Sequence, residues 1–528
     1  MRRVPALAAA GVLLVGLAGC GGDSAGTGGQ RLVNGKTFTM VLSADPGNLD
    51  PHFTSLASTQ QVDRFLYDSL LNVGPDGTLL AGLAEKWQGD TSTVTYTLRK
   101  GVTCADGSPL TAGQVAANIT FVGDPKNASS RIGVYVPAGA TATADEAAGT
   151  VTVTSPTPAA FLDRMVGGLH IVCDRGLKDR KLLRQGSVGT GMFTLTEAVA
   201  DDHYTLTRRK EYAWGPGDWP ATQDGLPDTV ILKIVTNEST AANLLGSDQA
   251  NAVTVIGPDS QRLRAMRLFE RSVVAALGEL WFHQKPGLPG ADETVRRALT
   301  QALDLKQLGQ VVSSGAGKPM TGLVAPGLSP CPPAGTDALL PAHDPAAAKA
   351  ALDAAGWLPG GDGVRVKDGR RLALGFYYPT NAGSGMQAGA ELLQRAWQGV
   401  GAQVTIRGVA NAEISQVIVG GQGSWDAAFL PLNVGLPSEL VPFFSGATPP
   451  NGVNFAHVEN PGYAAAVGAA SAVAGTGGCA SWAEAEQALV RGVDIVPFVY
   501  STVPVFGKGA SFELSTGSVA PSSIRMLG

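Results

Sequence analysis

Thr93-Val94-Thr95-Tyr96-Thr97-Leu98-Arg99 alternates polar residues with Val94, Tyr96 and Leu98. That period of two predicts a strand with those three side chains on its buried face. Val151-Thr152-Val153-Thr154 repeats the pattern, and upstream Val62, Phe65, Leu66 and Leu70 fall at helical spacing. Val230-Ile231-Leu232-Lys233-Ile234-Val235 is almost continuously apolar. Such a run marks a strand inside a sheet, covered on both faces.

The second half alternates helices and strands. Asp292 caps a helix whose buried stripe is Val295, Ala298, Leu299, Ala302 and Leu303. Asp344-Pro345 supplies a cap with proline at the first helical position, and Gly356 ends that helix. Val364-Arg365-Val366 and Leu372-Ala373-Leu374 flank Asp368-Gly369 and read as a hairpin. A helix over about Met386 to Gln398 carries Leu392, Leu393, Ala396 and Trp397. Gly401 separates it from the strand Val404-Thr405-Ile406. This alternation predicts α/β layering.

The amino-terminal segment decides the compartment. Arg2 and Arg3 precede an uncharged run from Val4 to Ala18, shorter than the ~20 residues of a membrane span. It ends in Leu17-Ala18-Gly19-Cys20, which resembles the bacterial lipobox. Residues 1–19 are therefore expected to be a lipoprotein signal peptide. Cys20 is the expected lipidation site, and residues 20–31 a flexible tether rich in glycine. The body would then sit outside the cytoplasm, lipid-anchored to the cell membrane.

The remaining ~500 residues exceed what one core organises, so two or more lobes are expected. The formal charge is −5, becoming −7 once Arg2 and Arg3 are removed. A mildly acidic body without a basic run argues against nucleic acid as a partner. Besides Cys20 there are Cys104, Cys173, Cys331 and Cys479, an even number without C-x-x-C spacing. In an oxidising compartment they are disulfide candidates.

Several segments, in order, resemble the family 5 extracellular solute-binding proteins, the oligopeptide, dipeptide and nickel-type receptors of ABC importers. They begin with Asp45-Pro46-Gly47-Asn48-Leu49-Asp50-Pro51, then Leu66-Tyr67-Asp68-Ser69-Leu70-Leu71 and Leu83-Ala84-Glu85-Lys86-Trp87. Tyr96 to Val102 with Asp106-Gly107-Ser108-Pro109-Leu110-Thr111-Ala112 is the most specific block. Gly189-Thr190-Gly191-Met192-Phe193, Val295-Arg296-Arg297-Ala298-Leu299 and Asp344 to Trp357 extend it.

The resemblance implies a two-lobed, periplasmic-binding-protein type II-like α/β fold with a ligand cleft between lobes closed by hinge bending. The first lobe would comprise residues 32–268 plus 496–528, with an inserted subdomain over about 56–180. The second would comprise 269–495. Cys104 with Cys173 and Cys331 with Cys479 would then each bridge within one lobe, since a cross-lobe bridge would restrict the hinge. The implied partners are a small solute, peptide-like by family default, and an ABC permease and ATPase. A monomer without cofactor is expected.

No G-x-S-x-G elbow and no H-E-x-x-H occurs, Gly315-Ala316-Gly317-Lys318 runs into Pro319, and the six histidines lack metal-ligand spacing. Neither an enzyme nor a metal site is expected. Family position nominates His52, Phe53, His283, Gln284, Thr380, Asn381 and Asn433 as ligand contacts. In peptide-binding relatives, a Trp and then an Asp that pairs with the peptide ammonium follow the strand corresponding to Gly423 through Phe429. Here Leu430-Pro431-Leu432-Asn433-Val434-Gly435 follows, with no Asp from Ala427 to Glu459. The amino-group anchor is absent unless Glu439 supplies it, which favours a neutral, blocked or non-peptide solute. The alternative reading is a ligand-sensing or chaperone-like lipoprotein of the same fold without its own transporter.

Overall fold

Two long strands, Phe269–Phe282 and Ile495–Gly507, run antiparallel through the centre of the computed structural model. The structure describes residues 31–528 apart from Ser55, Ser187, Leu328 and residues 381–383. The signal segment, Cys20 and Asn381 lie outside the described residues. The two strands are the middle of a ten-stranded mixed sheet. On one side lie Ala427–Phe429, Ala373–Pro379 and Gln403–Val409. On the other lie Ala252–Thr254, Thr37–Leu42, Thr229–Ile234, His203–Arg208 and Phe193–Val199. The apolar run at 230–235 thus sits inside the sheet, parallel to Thr37–Leu42 and antiparallel to His203–Arg208.

The register of the central pair slips twice. Leu277 is extra on the first strand between Ala276 and Gly278, and Phe498 is extra on the second between Val499 and Pro497. The two bulges compensate, so pairing resumes in its original register at Glu279 opposite Pro497. Bulges bend and twist a ribbon locally. Here they fall where the core changes. One apolar cluster gathers Phe38, Phe65, Tyr96, Val151 and Leu232 with Val505, Phe512 and Met526. Two others gather residues between Leu280 and Val499. The chain therefore builds two lobes, and the carboxyl-terminal residues return to the first.

Within the first lobe, Thr93–Leu98 forms the predicted strand, with Val94 and Tyr96 fully buried. It joins Ala84–Gly89, Thr150–Thr154 and Thr141–Asp145 in a four-stranded antiparallel sheet. The helix Ala57–Leu66 stops at Tyr67, so Leu70 is buried beyond its end rather than along its stripe. In the second lobe, Asp292 caps Glu293–Gln301 through the Thr294 N–H, and Asp344 caps Pro345–Ala354. Ala302 and Leu303 are buried past the end of the first of these helices. Asp304 caps a separate helix, Leu305–Val312.

The hairpin around Asp368-Gly369 is narrower than the sequence pattern predicts. The hairpin partner of Arg365–Lys367 is Arg370–Arg371, with Leu358–Pro359 on its other side, and Ala373–Pro379 leaves to pair in the main sheet. The apolar residues of that second arm serve the sheet, where burial outweighs the hairpin.

Disulfides join Cys104 to Cys173 and Cys331 to Cys479. The first lies within the first lobe and the second ties the start of helix Cys479–Arg491 to the 331 loop of the second. Neither crosses the central ribbon.

A Cβ on Gly278 would lie 2.3 Å from the Phe498 ring, so only glycine fits between the bulges. Gly278→Ala is expected to destabilise the protein by about 1–3 kcal/mol through overpacking. Chemical denaturation measures this, and an unchanged midpoint would show that the ribbon yields at no cost.

Candidate functional site

The loop that leaves the strand Ala427–Phe429 is fixed to the bulged ribbon by two side chains. Glu279 accepts a hydrogen bond from the Leu432 N–H at 2.6 Å. Asn433 accepts from the Ala276 N–H at 2.8 Å and donates to the Ala276 carbonyl at 3.2 Å. Its amide thus stands in for a strand partner on the outer edge of Phe269–Phe282, beyond the end of its pairing with Ala427–Phe429. Glu279 is fully buried, which pushes its pKa up to about 8, so at neutral pH it is a protonated acid.

Residues 433–436 and Glu439 form one wall of a cavity of about 590 Å³. Its other walls come from the first lobe: the end of helix Ala57–Leu66 and the residues after it, the Arg164–His170 stretch, and the returning segment near residues 513–523. The volume falls in the range that holds a small molecule. The cavity thus lies at the boundary between the lobes.

Its charged groups are held in distinct ways. Asp68 receives Tyr212 Oη at 3.0 Å, Trp214 Nε1 at 2.9 Å and Thr190 Oγ1 at 3.0 Å. Burial nevertheless pushes it up to about 6. Glu513 is held bidentate by Arg271, with both N···O distances 2.8 Å. Glu439 accepts from the Gly435 N–H at 2.8 Å, and burial raises its pKa. His170 is neutral because burial lowers it to about 3. Two guanidiniums, Arg64 and Arg164, complete the set. Arg64 donates to Thr516 Oγ1, and Arg164 donates to the Gly77 carbonyl at 2.9 Å.

Of the residues nominated from the sequence, Asn433 lines this cavity, with its amide already spent on Ala276. His52, Phe53, His283, Gln284 and Thr380 are not among its lining residues. His52 is fully buried and donates from Nε2 to the His170 carbonyl, which fixes the neutral tautomer; burial lowers its pKa to about 3. Phe53 packs edge-on to Phe121, with the Arg180 guanidinium 5.2 Å from its ring centre. His283 stacks on Trp425 at 4.6 Å and 8° and lies 5.1 Å from His457. Gln284 donates to the Asp494 carbonyl at 3.3 Å, beside the buried Arg296–Asp494 ion pair. Thr380 donates to the Val409 carbonyl at 3.2 Å.

Sequence reasoning missed the first-lobe wall. Arg64 falls on the opposite face of the helix from Val62, Phe65 and Leu66, where spacing predicts an ordinary solvated cation, so the pattern carried no signal for it. Among the described residues, no cluster of three or more His, Cys, Asp or Glu side chains could hold a metal ion, and no helix is long and apolar enough to cross a membrane.

The lobes also meet outside the cavity. Phe161 of the first stacks on Trp482 of the second, with centroids 6.2 Å apart, and Ala160, Leu436 and Ala470 complete a small apolar cluster. The Gly475 N–H donates across the boundary to the Ala160 carbonyl at 2.6 Å.

Two α/β lobes, a two-stranded crossing and a cavity at their boundary define a binding protein of the periplasmic type. The sequence from 78 to 446 matches the family described as bacterial extracellular solute-binding proteins, family 5 Middle, and the chain belongs to that family. Its members are transport receptors, not enzymes. Protein XP55 of Streptomyces lividans is 29% identical over 361 residues, 65% of this chain and 62% of that protein. The glutathione-binding protein GsiB of Salmonella choleraesuis is 27% identical over 342 residues, 62% of each chain. The alignments therefore span less than two thirds of these curated relatives. A substrate-binding protein from Microbacterium hydrocarbonoxydans, solved with 4-hydroxybenzoate hydrazide, superposes with a TM-score of 0.72 at 26% identity. That superposition covers 93% of this chain and 100% of the other.

Raised folded-state pKa values make stability fall as pH rises. Glu279 contributes fully below its unfolded value near 4.5, and the contribution is lost as pH climbs through about 8. Asp68 and Glu486, raised to about 6 and about 7, lose stability in the same window, so thermal melts from pH ~5 to ~8 should show a decline that Glu279→Gln reduces by roughly 2–5 kcal/mol. An identical decline in the variant would place the titration elsewhere.

Proposed function

We propose that this protein is the solute-capturing receptor of an ABC importer, secreted through residues 1–19 and held at the membrane by a lipid on Cys20. The observation that carries the reading is the cavity at the lobe boundary, walled on one side by a loop that is itself hydrogen-bonded to the bulged crossing. Solute bound there touches both lobes and favours the closed arrangement, because only that arrangement offers both walls. The closed surface is what a permease would recognise. The named ligands of the relatives, glutathione and an aromatic hydrazide, are small solutes of a size that such a cavity accepts.

Native mass spectrometry of protein purified from its own cells tests the reading. A non-covalent solute released on denaturation is expected, and an empty cleft that binds no small molecule would end it. Phe161→Ala removes the stack that joins the lobes, a contact of about 0.5–1.5 kcal/mol. Solute affinity should fall about 2- to 10-fold with the fold intact. Unchanged affinity would separate that contact from closure.

The anchor has its own test. Cys20→Ala should leave the chain unprocessed or release it from the membrane fraction. A processed form retained in the membrane would refute lipidation at that position.

A further inference from the structure

The carboxylates and guanidiniums of the cavity are not equally committed. Counted by residue type, its lining holds three carboxylates, Asp68, Glu439 and Glu513, against Arg64 and Arg164. That count suggests a cationic solute. The hydrogen bonds reverse it.

Asp68 already receives three side-chain donors, and both Glu513 oxygens are neutralised by Arg271. One oxygen of Glu439 serves the Gly435 and Leu436 N–H groups. Burial also favours the neutral forms of Asp68 and Glu439. A guanidinium, by contrast, stays charged at any physiological pH.

Arg64 has no carboxylate partner among the described residues. Its hydrogen bond goes to the uncharged Thr516 hydroxyl, and desolvation lowers its pKa. The Thr516 hydroxyl proton makes no hydrogen bond to a described residue. A half-buried cation facing a cavity is stabilised by an anion brought into it, and a guanidinium fork matches a carboxylate or phosphate in two hydrogen bonds.

We infer that the solute carries an anionic group, a carboxylate or an equivalent oxyanion, seated against Arg64 and Thr516 on the first-lobe wall. The inference rests on the solute-capture reading and deepens it. It also assigns the solute's charged end to the first lobe, opposite the 433–439 loop.

The test uses wild type, Arg64→Gln, Arg64→Lys and Glu439→Gln, each checked for a native melting transition. Native mass spectrometry identifies the resident solute. Calorimetry compares N-acetyl-trialanine as free acid, the same peptide as C-terminal amide, and trialanine amide with a free amino group. A resident solute with an oxyanion is expected, with occupancy falling about 10- to 100-fold in Arg64→Gln and partly restored in Arg64→Lys. The acid should bind more tightly than either amide, and Arg64→Gln should erase that preference.

A resident solute without an anionic group at neutral pH overturns the inference and leaves the receptor reading standing. So does a preference for the free-amino peptide that disappears in Glu439→Gln, which would make Glu439 the anchor. An empty cleft and no binding of any probe removes the receptor reading, and this inference with it.

Discussion

Everything in this molecule hangs on the pairing of Phe269–Phe282 with Ile495–Gly507. The ribbon belongs to both cores at once: Phe269 and Val273 pack against the first, while Leu280 and Phe282 are buried in the second. Its two compensating bulges let the strands bend without losing register on either side. A single bulge would shift one lobe by a residue and turn its inward side chains outward. The pair of bulges gives a pivot that leaves both lobes correctly patterned.

The same pivot organises the cavity. Pairing with Ala427–Phe429 stops at Leu280, which leaves backbone groups on that edge that need partners, and Asn433 supplies them for Ala276. Glu279 does the equivalent for Leu432 from inside the ribbon. The loop that walls the cavity is thus attached at the point where the lobes articulate. A protonated acid suits this position, because it accepts the hydrogen bond without the desolvation cost of a charge. Movement at the ribbon must carry the loop with it.

Where burial follows periodicity, the sequence was legible. Thr93 to Leu98, Asp292 with its helix and Asp344 with its proline lie where their patterns place them, since local caps and alternating faces need no distant partner. The second arm of the hairpin at 368 was misread because a strand in the main sheet competes for the same apolar residues. The site was harder. Family position picked His52 and Gln284, but His52 Nε2 and the Gln284 amide nitrogen are taken up by the His170 and Asp494 carbonyls. Whether a polar side chain is free for a solute depends on neighbours more than a hundred residues away, as with Arg271 and Glu513. Residue type alone made the cavity look acidic, and only the pairing changed its sign.

The first lobe is assembled from both ends of the chain. Thr37–Leu42 lies beside Ala252–Thr254, which itself pairs with residues 505–507. Leu32 bridges Leu527, and the Gly528 N–H donates to the Arg31 carbonyl. A ribosome delivers the amino-terminal strands several hundred residues before the segment that completes their core. Until then Ala252–Thr254 presents an open edge, and the cluster around Phe38 lacks Phe512 and Met526. The core of the second lobe closes with Val496, Phe498 and Val499, before Phe512 and Met526 of the first have been made. Contacts this remote form slowly and leave sticky surface exposed meanwhile. The order of maturation is therefore written into the topology: the lobe that is made first is finished last.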